Sequence, residues 1–478
     1  MIYDVLIIGA GISGSLIARK LARYQLKVGV LDKENDIGNL TSTANSAIIH
    51  SGYDPLPGTL KAKLNVLGNQ MYDQLVEELD VKFIRNGSLT VATDEKQLET
   101  LKELAKRSEI NGVPYQLLSK EETLAREPNI TKEVVGSLFA PTCGIIDPFN
   151  LVVHAMENAV DNGVALHLNE EVINISKQND LFLVITKKET YKTKILINAA
   201  GTFSDKIASM FEEIDWSIRA RKGQYYLLTQ LPGFVNSTVF PLPSEKGKGV
   251  LVFKTTSDNI LIGPSSEYTD DKDDAQTDPV TLRNIKEQAS LLFENIPYNF
   301  TIRTFTGLRP TPSTHDFIIG YSKKDNHFIN VAGIESPGLA SAPAIAEYVV
   351  NDFVSPLILL KEKDDFNPYV KKYPRLKEMS IEERNALIKE NPEYGRMICS
   401  CEKVSLGEIK ECLSRSVPPR SIKTIKKRTR AGFGTCQSGF CTTSMMQILA
   451  EHYNVNLNEV NYDGEGSFIA TDKIKEVE

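Results

Sequence analysis

The chain has 478 residues, 41% hydrophobic and 24% charged, the make-up of an ordinary globular protein with room for two or three domains. Fifty-five basic against sixty-two acidic residues leave a net charge of −7, which argues against nucleic acid as a partner. No apolar run approaches the ~20 residues that span a bilayer, the first strand-like run starts almost at Met1 with no room for a leader, and six cysteines do not form a disulfide framework in a chain of this size, so a reducing cytoplasm is expected.

In chain order, apolar residues 3–8 read as a strand that enters Gly9-Ala10-Gly11-Ile12-Ser13-Gly14. A helical pattern follows to Ala22, and a second strand over 27–31 ends at Asp32. A GxGxxG turn between a strand and a helix, with an acidic residue after the second strand, is a dinucleotide fingerprint. Its glycines let the backbone approach a pyrophosphate, the helix N–H groups and dipole face the anion, and Asp32 can accept from ribose hydroxyls. Residues 81–144 are mixed, with a Glu- and Lys-rich helix around 94–109. A helix over 148–162 and strands near 164–168 and 194–198 come next; the last runs into Ala199-Ala200-Gly201, small residues that permit close packing under a cofactor.

From about 219 to 305 the chain is rich in strands and turns, including 224–229, 250–254 and 259–263, and predicts an antiparallel sheet that covers the substrate. Gly307-Leu308-Arg309-Pro310 and then Ser336-Pro337-Gly338 lead to a helix expected over 342–353. A polar, Lys-rich stretch, about 354–394, reads as a linker with one short helix. Beyond it, Cys399 and Cys401 form a C-x-C pair, and Cys436 and Cys441 a C-x4-C pair. Four thiolates in two close pairs suit an iron-sulfur cluster or zinc. Cys412, at helical spacing with Ile409 and Leu413, is expected in the core, and the basic run Lys423, Lys426, Lys427, Arg428, Arg430 on a solvated face where it could dock an acidic partner.

The block from Thr41 to Asp54, with Gly58 to Ala62, Gly307 to Pro310 and Ser336 to Ala344, resembles the D-amino-acid-oxidase-type FAD oxidoreductases, in particular the branch of glycerol-3-phosphate dehydrogenases and oxidases. The tail is similar to the bacterioferritin-associated-ferredoxin-like [2Fe-2S] domain. The resemblance implies an α/β fold with a Rossmann-like FAD-binding domain (about 1–80, 145–215 and 305–350), a mainly antiparallel substrate domain (about 81–144 and 216–304), a linker (351–395) and a small helical [2Fe-2S] domain (396–450). It implies FAD lying along Gly9, Gly11, Ser13, Gly14 and Asp32, with Thr41, Ser42, Asn45, Ser46, Ala200, Gly201, Ser336, Gly338 and Leu339 beside it and the backbone of Val172 receiving the adenine. The four cysteines would hold the [2Fe-2S] cluster, with zinc the rival.

Oxidising a secondary alcohol requires a base for the hydroxyl proton as hydride leaves the carbon. His50 is the candidate, with His315 as the alternative. An anionic substrate needs a fixed cation, assigned to Arg309 between Gly307-Leu308 and Pro310, with Lys254 as a second charge. Glycerol 3-phosphate is the expected substrate and a redox protein or flavoprotein subunit the expected electron acceptor, reached through the cluster. A 2-hydroxy acid such as L-2-hydroxyglutarate, or a non-catalytic electron-carrying subunit, are the other readings.

Overall fold

The protein is described by a computed structural model covering residues 1–242 and 249–471. The first strand, Ile2–Ile8, is buried over most of its length because it lies inside a sheet, with Thr190–Asn198 parallel on one side and Val28–Leu31 parallel on the other. The glycine turn and helix Ile12–Ala22 make the crossover between the first two strands. Strand Thr190–Asn198 divides its outer edge. Its first half pairs with the hairpin Val172–Gln178 and Leu181–Thr186, its second half with Phe328–Ala332. Eight strands from separated stretches of chain thereby form one sheet under helices Ile12–Ala22, Pro148–Asp161 and Gly338–Tyr348.

The second large sheet has nine strands. Its spine, Ile218–Gln230, pairs antiparallel with Thr301–Pro312 on one edge and with Glu267–Thr269 and Asn259–Gly263 on the other. The sheet continues through Leu251–Lys254 and Thr238–Pro241 to strands of the 88–140 region, and Thr238–Pro241 with Ser88–Ala92 is its one parallel pair among the described residues.

Two expectations are corrected by packing. The helix expected from Ala342 begins at Gly338. Pro343 lies inside the helix, where it removes the N–H that would bond the Leu339 carbonyl. Tyr72 Oη donates to that carbonyl instead, at 2.5 Å. The stretch read as a linker is tied to the rest of the protein over residues 363–373. Lys363 N–H bonds Arg23 O and Val370 N–H bonds Glu78 O, both near the ends of helices, Arg19 donates to Pro368 O, and buried Tyr373 donates to Arg428 O at 2.6 Å.

The C-terminal helices Leu406–Leu413, Ile422–Thr429 and Thr442–Tyr453 enclose their own core of Ile409, Ile425, Met445 and Leu449. Cys412 is buried beside it, as its spacing predicted, and burial pushes its thiol up to about 12. The basic run is not a solvated face. Lys426, Lys427 and Arg428 are 2–3% exposed. Lys427 and Arg428 each lie 2.8 Å from Asp36, and Lys427 also reaches Ile37 O and Asn39 Oδ1, so the run locks the C-terminal unit onto the loop that follows Asp32. Composition signals charge but not direction, and the partner carboxylate lies 391 positions before Lys427.

Candidate functional site

The glycine turn works through two close approaches. Gly9 has φ +108, and a Cβ there would sit 2.4 Å from Ala199 O. At Gly14 a Cβ would meet Gly9 O at 1.9 Å, so Gly14 packs the helix onto the turn and, alone among the residues expected beside the cofactor, does not line the groove. The helix start carries no side-chain cap from Gly11. Ile12 N–H is taken by Ser42 Oγ at 2.9 Å. Asp32 accepts from Ala10 N–H at 2.6 Å and from Glu34 N–H at 2.9 Å. Burial pushes its carboxyl up to about 6 against those two donors.

Two cavities meet at this turn. The smaller, about 190 Å³, is lined by Gly9, Asp32, Val172 and Ala200; the larger, about 840 Å³, by Ser13, Asn45, Ser46, His50, Arg309, Ser336, Gly338 and Leu339. Gly11, Thr41, Ser42 and Gly201 line both, so they form one groove that widens into a chamber. An extended dinucleotide fits this shape: an acidic acceptor at the narrow end, glycine main chain in the middle, and room for a ring system at the wide end. Fourteen of the fifteen residues read from sequence around FAD, all but Gly14, fall on its walls.

The segment over 41–47 arches over the junction and is held by its own polar groups. Thr41 Oγ1 donates to Leu308 O at 2.6 Å, and Asn45 Nδ2 donates to the carbonyls of Thr41 and Ser42, both at 2.8 Å. Ser46 Oγ pairs with Tyr225 Oη at 2.9 Å. The arch ends in the short strand Ile48–Ile49, which delivers His50 to the chamber. The His50 carbonyl is held by Asn65 and Asn69, at 2.7 and 3.0 Å, and its ring lies 5.8 Å from that of Phe240. The alternative, His315, is exposed on a turn away from the chamber. His154 is buried and bonds Leu79 O.

Arg309 projects from strand Thr301–Pro312, and its Nη2 donates to Lys222 O at 2.8 Å and to Ser265 O. Burial, and then the neighbouring Arg221, pull its pKa down from the ordinary guanidinium value. Lys254 is the residue expected as the second cation. It does not line the chamber, and its Nζ turns to Asp258, 3.6 Å away and four residues on. Arg221 occupies the wall instead, directly opposite Arg309 in the strand register and paired with Glu335 at 2.6 Å. Glu335 also takes Lys61 at 2.9 Å and Thr311 Oγ1 at 2.8 Å. Sequence reading missed Arg221, Glu335 and Tyr225. The register of the two long strands is the signal that brings Arg221 to Arg309, and no local motif carries it.

The four cysteines divide two by two, each pair taking one residue from each motif. Cys401 Sγ lies 3.6 Å from Cys436 Sγ, close to the roughly 3.8 Å between two thiolates on one tetrahedral metal with bonds of ~2.3 Å. Cys399 accepts from Gly432 N–H at 3.4 Å. The Cys441 thiol, hydrogen-bonded to it, is the main cause that draws Cys399 down to about 6, towards the thiolate a metal needs. Among the described residues, no group of three or more such side chains surrounds a single ion position. Two thiolate pairs fit a cluster of two irons, one pair to each iron.

A family model described as FAD dependent oxidoreductase matches residues 4–351, and one described as BFD-like [2Fe-2S] binding domain matches residues 397–451. The glycerol 3-phosphate dehydrogenase of Caloramator mitchellensis is 45% identical over 475 residues, 99% of this chain and 99% of that protein. The glycerol 3-phosphate oxidase of Mycoplasma genitalium is 35% identical over 76% of this chain and 97% of its own. Among solved structures, dithionite-reduced L-alpha-glycerophosphate oxidase from Mycoplasma pneumoniae with FAD bound is 34% identical, with a TM-score of 0.75 over 78% of this chain and 100% of that one.

Proposed function

Because the chain belongs to the FAD dependent oxidoreductase family and ends in a [2Fe-2S] binding domain, we propose that it oxidises sn-glycerol 3-phosphate to dihydroxyacetone phosphate and delivers the electrons through the cluster to a partner protein. One observation carries this reading: His50 and Arg309 line the same chamber, and that chamber opens directly onto the dinucleotide groove. A base, an anion clamp and a place for the electron acceptor therefore meet in one space.

In this reading Arg309 takes the substrate anion. Its Nη2 is fixed by two backbone carbonyls, so the guanidinium loses little freedom when it binds. His50 receives the hydroxyl proton as the adjacent C–H bond breaks, and the two asparagines on its carbonyl hold the residue in position. FAD, when bound along Gly9, Gly11, Asp32, Thr41, Ser42 and Gly201, supplies the two-electron acceptor for this step, and a cluster on Cys399, Cys401, Cys436 and Cys441 supplies one-electron carriage onward. The N-terminus of the eleven-residue helix Gly338–Tyr348 faces the chamber; the Gly338 N–H is bonded to Glu335 O, and the Leu339 N–H can stabilise developing negative charge. Tyr225 and Phe240 line the same space and limit water there.

The extra domain supports a reading of the acceptor. The relative matched over its whole length is named a dehydrogenase, whereas the relative named an oxidase is spanned almost whole by about three quarters of this chain. The added cysteine module supports a protein acceptor over dioxygen. Among the described residues no helix is long and apolar enough to cross a membrane, and the thiolate chemistry suits the cytoplasmic side, with any membrane contact made through that partner.

Anaerobic mixing with glycerol 3-phosphate is expected to bleach the flavin, and His50→Asn to slow that bleaching by about 10²–10⁴-fold. Bleaching by L-2-hydroxyglutarate alone would replace the substrate, and no bleaching by any small hydroxy compound would make the chain a carrier. Stoichiometric peroxide release that persists after cluster loss would remove the partner.

A further inference from the structure

We propose that Arg221 is the second cation of the substrate clamp and that it selects a phosphomonoester dianion over a carboxylate; the inference rests on the chamber being a glycerol 3-phosphate site. Arg221 and Arg309 are direct cross-strand partners, and both line the chamber. Like charges placed opposite each other destabilise a sheet, so a pair kept there calls for an anion. Glu335 answers for part of that charge, but it is shared between Arg221, Lys61 and Thr311. The buried Nε of Arg221 and that of Arg309 have no hydrogen-bond partner among the described residues. Unpaired buried donors are rare, and two of them on neighbouring guanidinium groups mark a ligand position.

The shape of the ligand follows from the donors. A carboxylate is planar and is satisfied by one guanidinium fork. A phosphomonoester presents three outer oxygens that do not lie in one plane with a single fork, so its third oxygen needs a donor from another direction. Arg309 spends Nη2 on two carbonyls, and both forks of a guanidinium include Nη2, so it offers the ligand single donors and no complete fork; Arg221, approaching from the adjacent strand, supplies a further contact. Lys222 cannot substitute, because strand alternation turns it to the other face, where it pairs with Asp274 at 2.7 Å.

The test compares steady-state kinetics of wild type and Arg221→Gln holoenzyme with glycerol 3-phosphate. Loss of a charge-assisted contact predicts a KM raised by about 10–100-fold, with kcat falling much less. A second readout is the pH dependence of KM. The wild-type value is expected to rise as pH falls through the second phosphate ionisation, near ~6, and the variant profile to be flatter. Arg309, Glu335, Lys61 and Glu267 border the position in both proteins, so the difference between the profiles reports the removed guanidinium. Should Arg221→Gln fail to hold flavin, Arg221→Lys keeps a charge without the fork and is expected to show an intermediate KM. A variant with wild-type KM and the wild-type pH profile overturns the role of Arg221. Wild-type enzyme that glycerol 3-phosphate does not reduce overturns instead the reading on which it rests.

Discussion

The groove and the chamber it opens into are built by opposite means. The groove is main chain: a turn of six residues, one carboxylate that ties the turn to the end of the second strand, and a strand terminus of small residues, side by side at the ends of neighbouring strands. The chamber is side chain: His50 from a two-residue strand, Arg221 and Arg309 from a long antiparallel pair, and Glu335 from the entry to a helix. A groove of this kind fails through sterics, because an added atom meets backbone that cannot move. A chamber fails through chemistry, because each wall residue can be exchanged in place and only its charge or proton is lost.

The sharpest way to break the comparison is at Gly14. A Cβ 1.9 Å from Gly9 O cannot be absorbed by a rotamer change, since the atom it meets is backbone. Gly14→Val is therefore expected to lower bound flavin by about tenfold or more, the class of large loss that comes from strain at a special backbone position. The flavin-to-protein ratio after purification measures it. A variant that keeps its full complement of flavin would mean that the groove is as forgiving as the chamber.

Between the two regions and the cysteine module stands Asp36, 2% exposed and in contact with Lys427 and Arg428. Burial alone would raise its pKa, but the charges of Arg428 and Lys427 overcome that and hold the carboxyl well below the usual range. A carboxyl depressed in this way contributes stability above its unfolded pKa, near 3.9, and loses it as pH falls through the lower folded value. The contribution is therefore fully present at neutral pH. Asp36→Ala leaves two buried cations without their counter-charge, a change that costs about 3–5 kcal/mol. A lowered Tm and earlier proteolytic release of the C-terminal helices are expected. If Asp36→Ala melts with wild type, the module is held by its other contacts, such as Arg415 with Glu157 at 2.8 Å and the Phe149–Phe433 ring pair at 5.2 Å.

These contrasts explain what could be read in the sequence. The groove was legible because its determinants are local: glycines, a helix start and an acid within one supersecondary unit. Arg309 was legible because Gly307, Leu308 and Pro310 frame it within four residues. Arg221 was hidden because what distinguishes it from Arg219, two residues earlier and exposed, is the register with a strand some ninety residues downstream. The basic run was misread for the same reason, as its counter-ion belongs to the first forty residues. Nothing local shows that Pro343 stands inside a helix, because the hydroxyl that satisfies the freed Leu339 carbonyl, that of Tyr72, comes from a distant stretch of chain.

The smallest expected effect tests the boundary of the chamber. Lys254 ends a strand that is otherwise buried, but its side chain is 22% exposed and faces Asp258, itself 46% exposed. An ion pair so open to solvent contributes about 0–1 kcal/mol. The charge has one further reach: it works to lower the carboxyl of Glu127, which burial raises, and Glu127 binds the N–H groups of Asn236 and Ser237 on the outer part of the sheet. Lys254→Gln should therefore shift Tm by only a few degrees, with KM for glycerol 3-phosphate within about twofold of wild type, since uniform binding is lost only where a contact to substrate is lost. A tenfold rise in KM would carry the chamber wall out to this strand and make the anion site a three-cation site. An unchanged KM beside a raised one in Arg221→Gln leaves the clamp on the two strands whose register brings the arginines together.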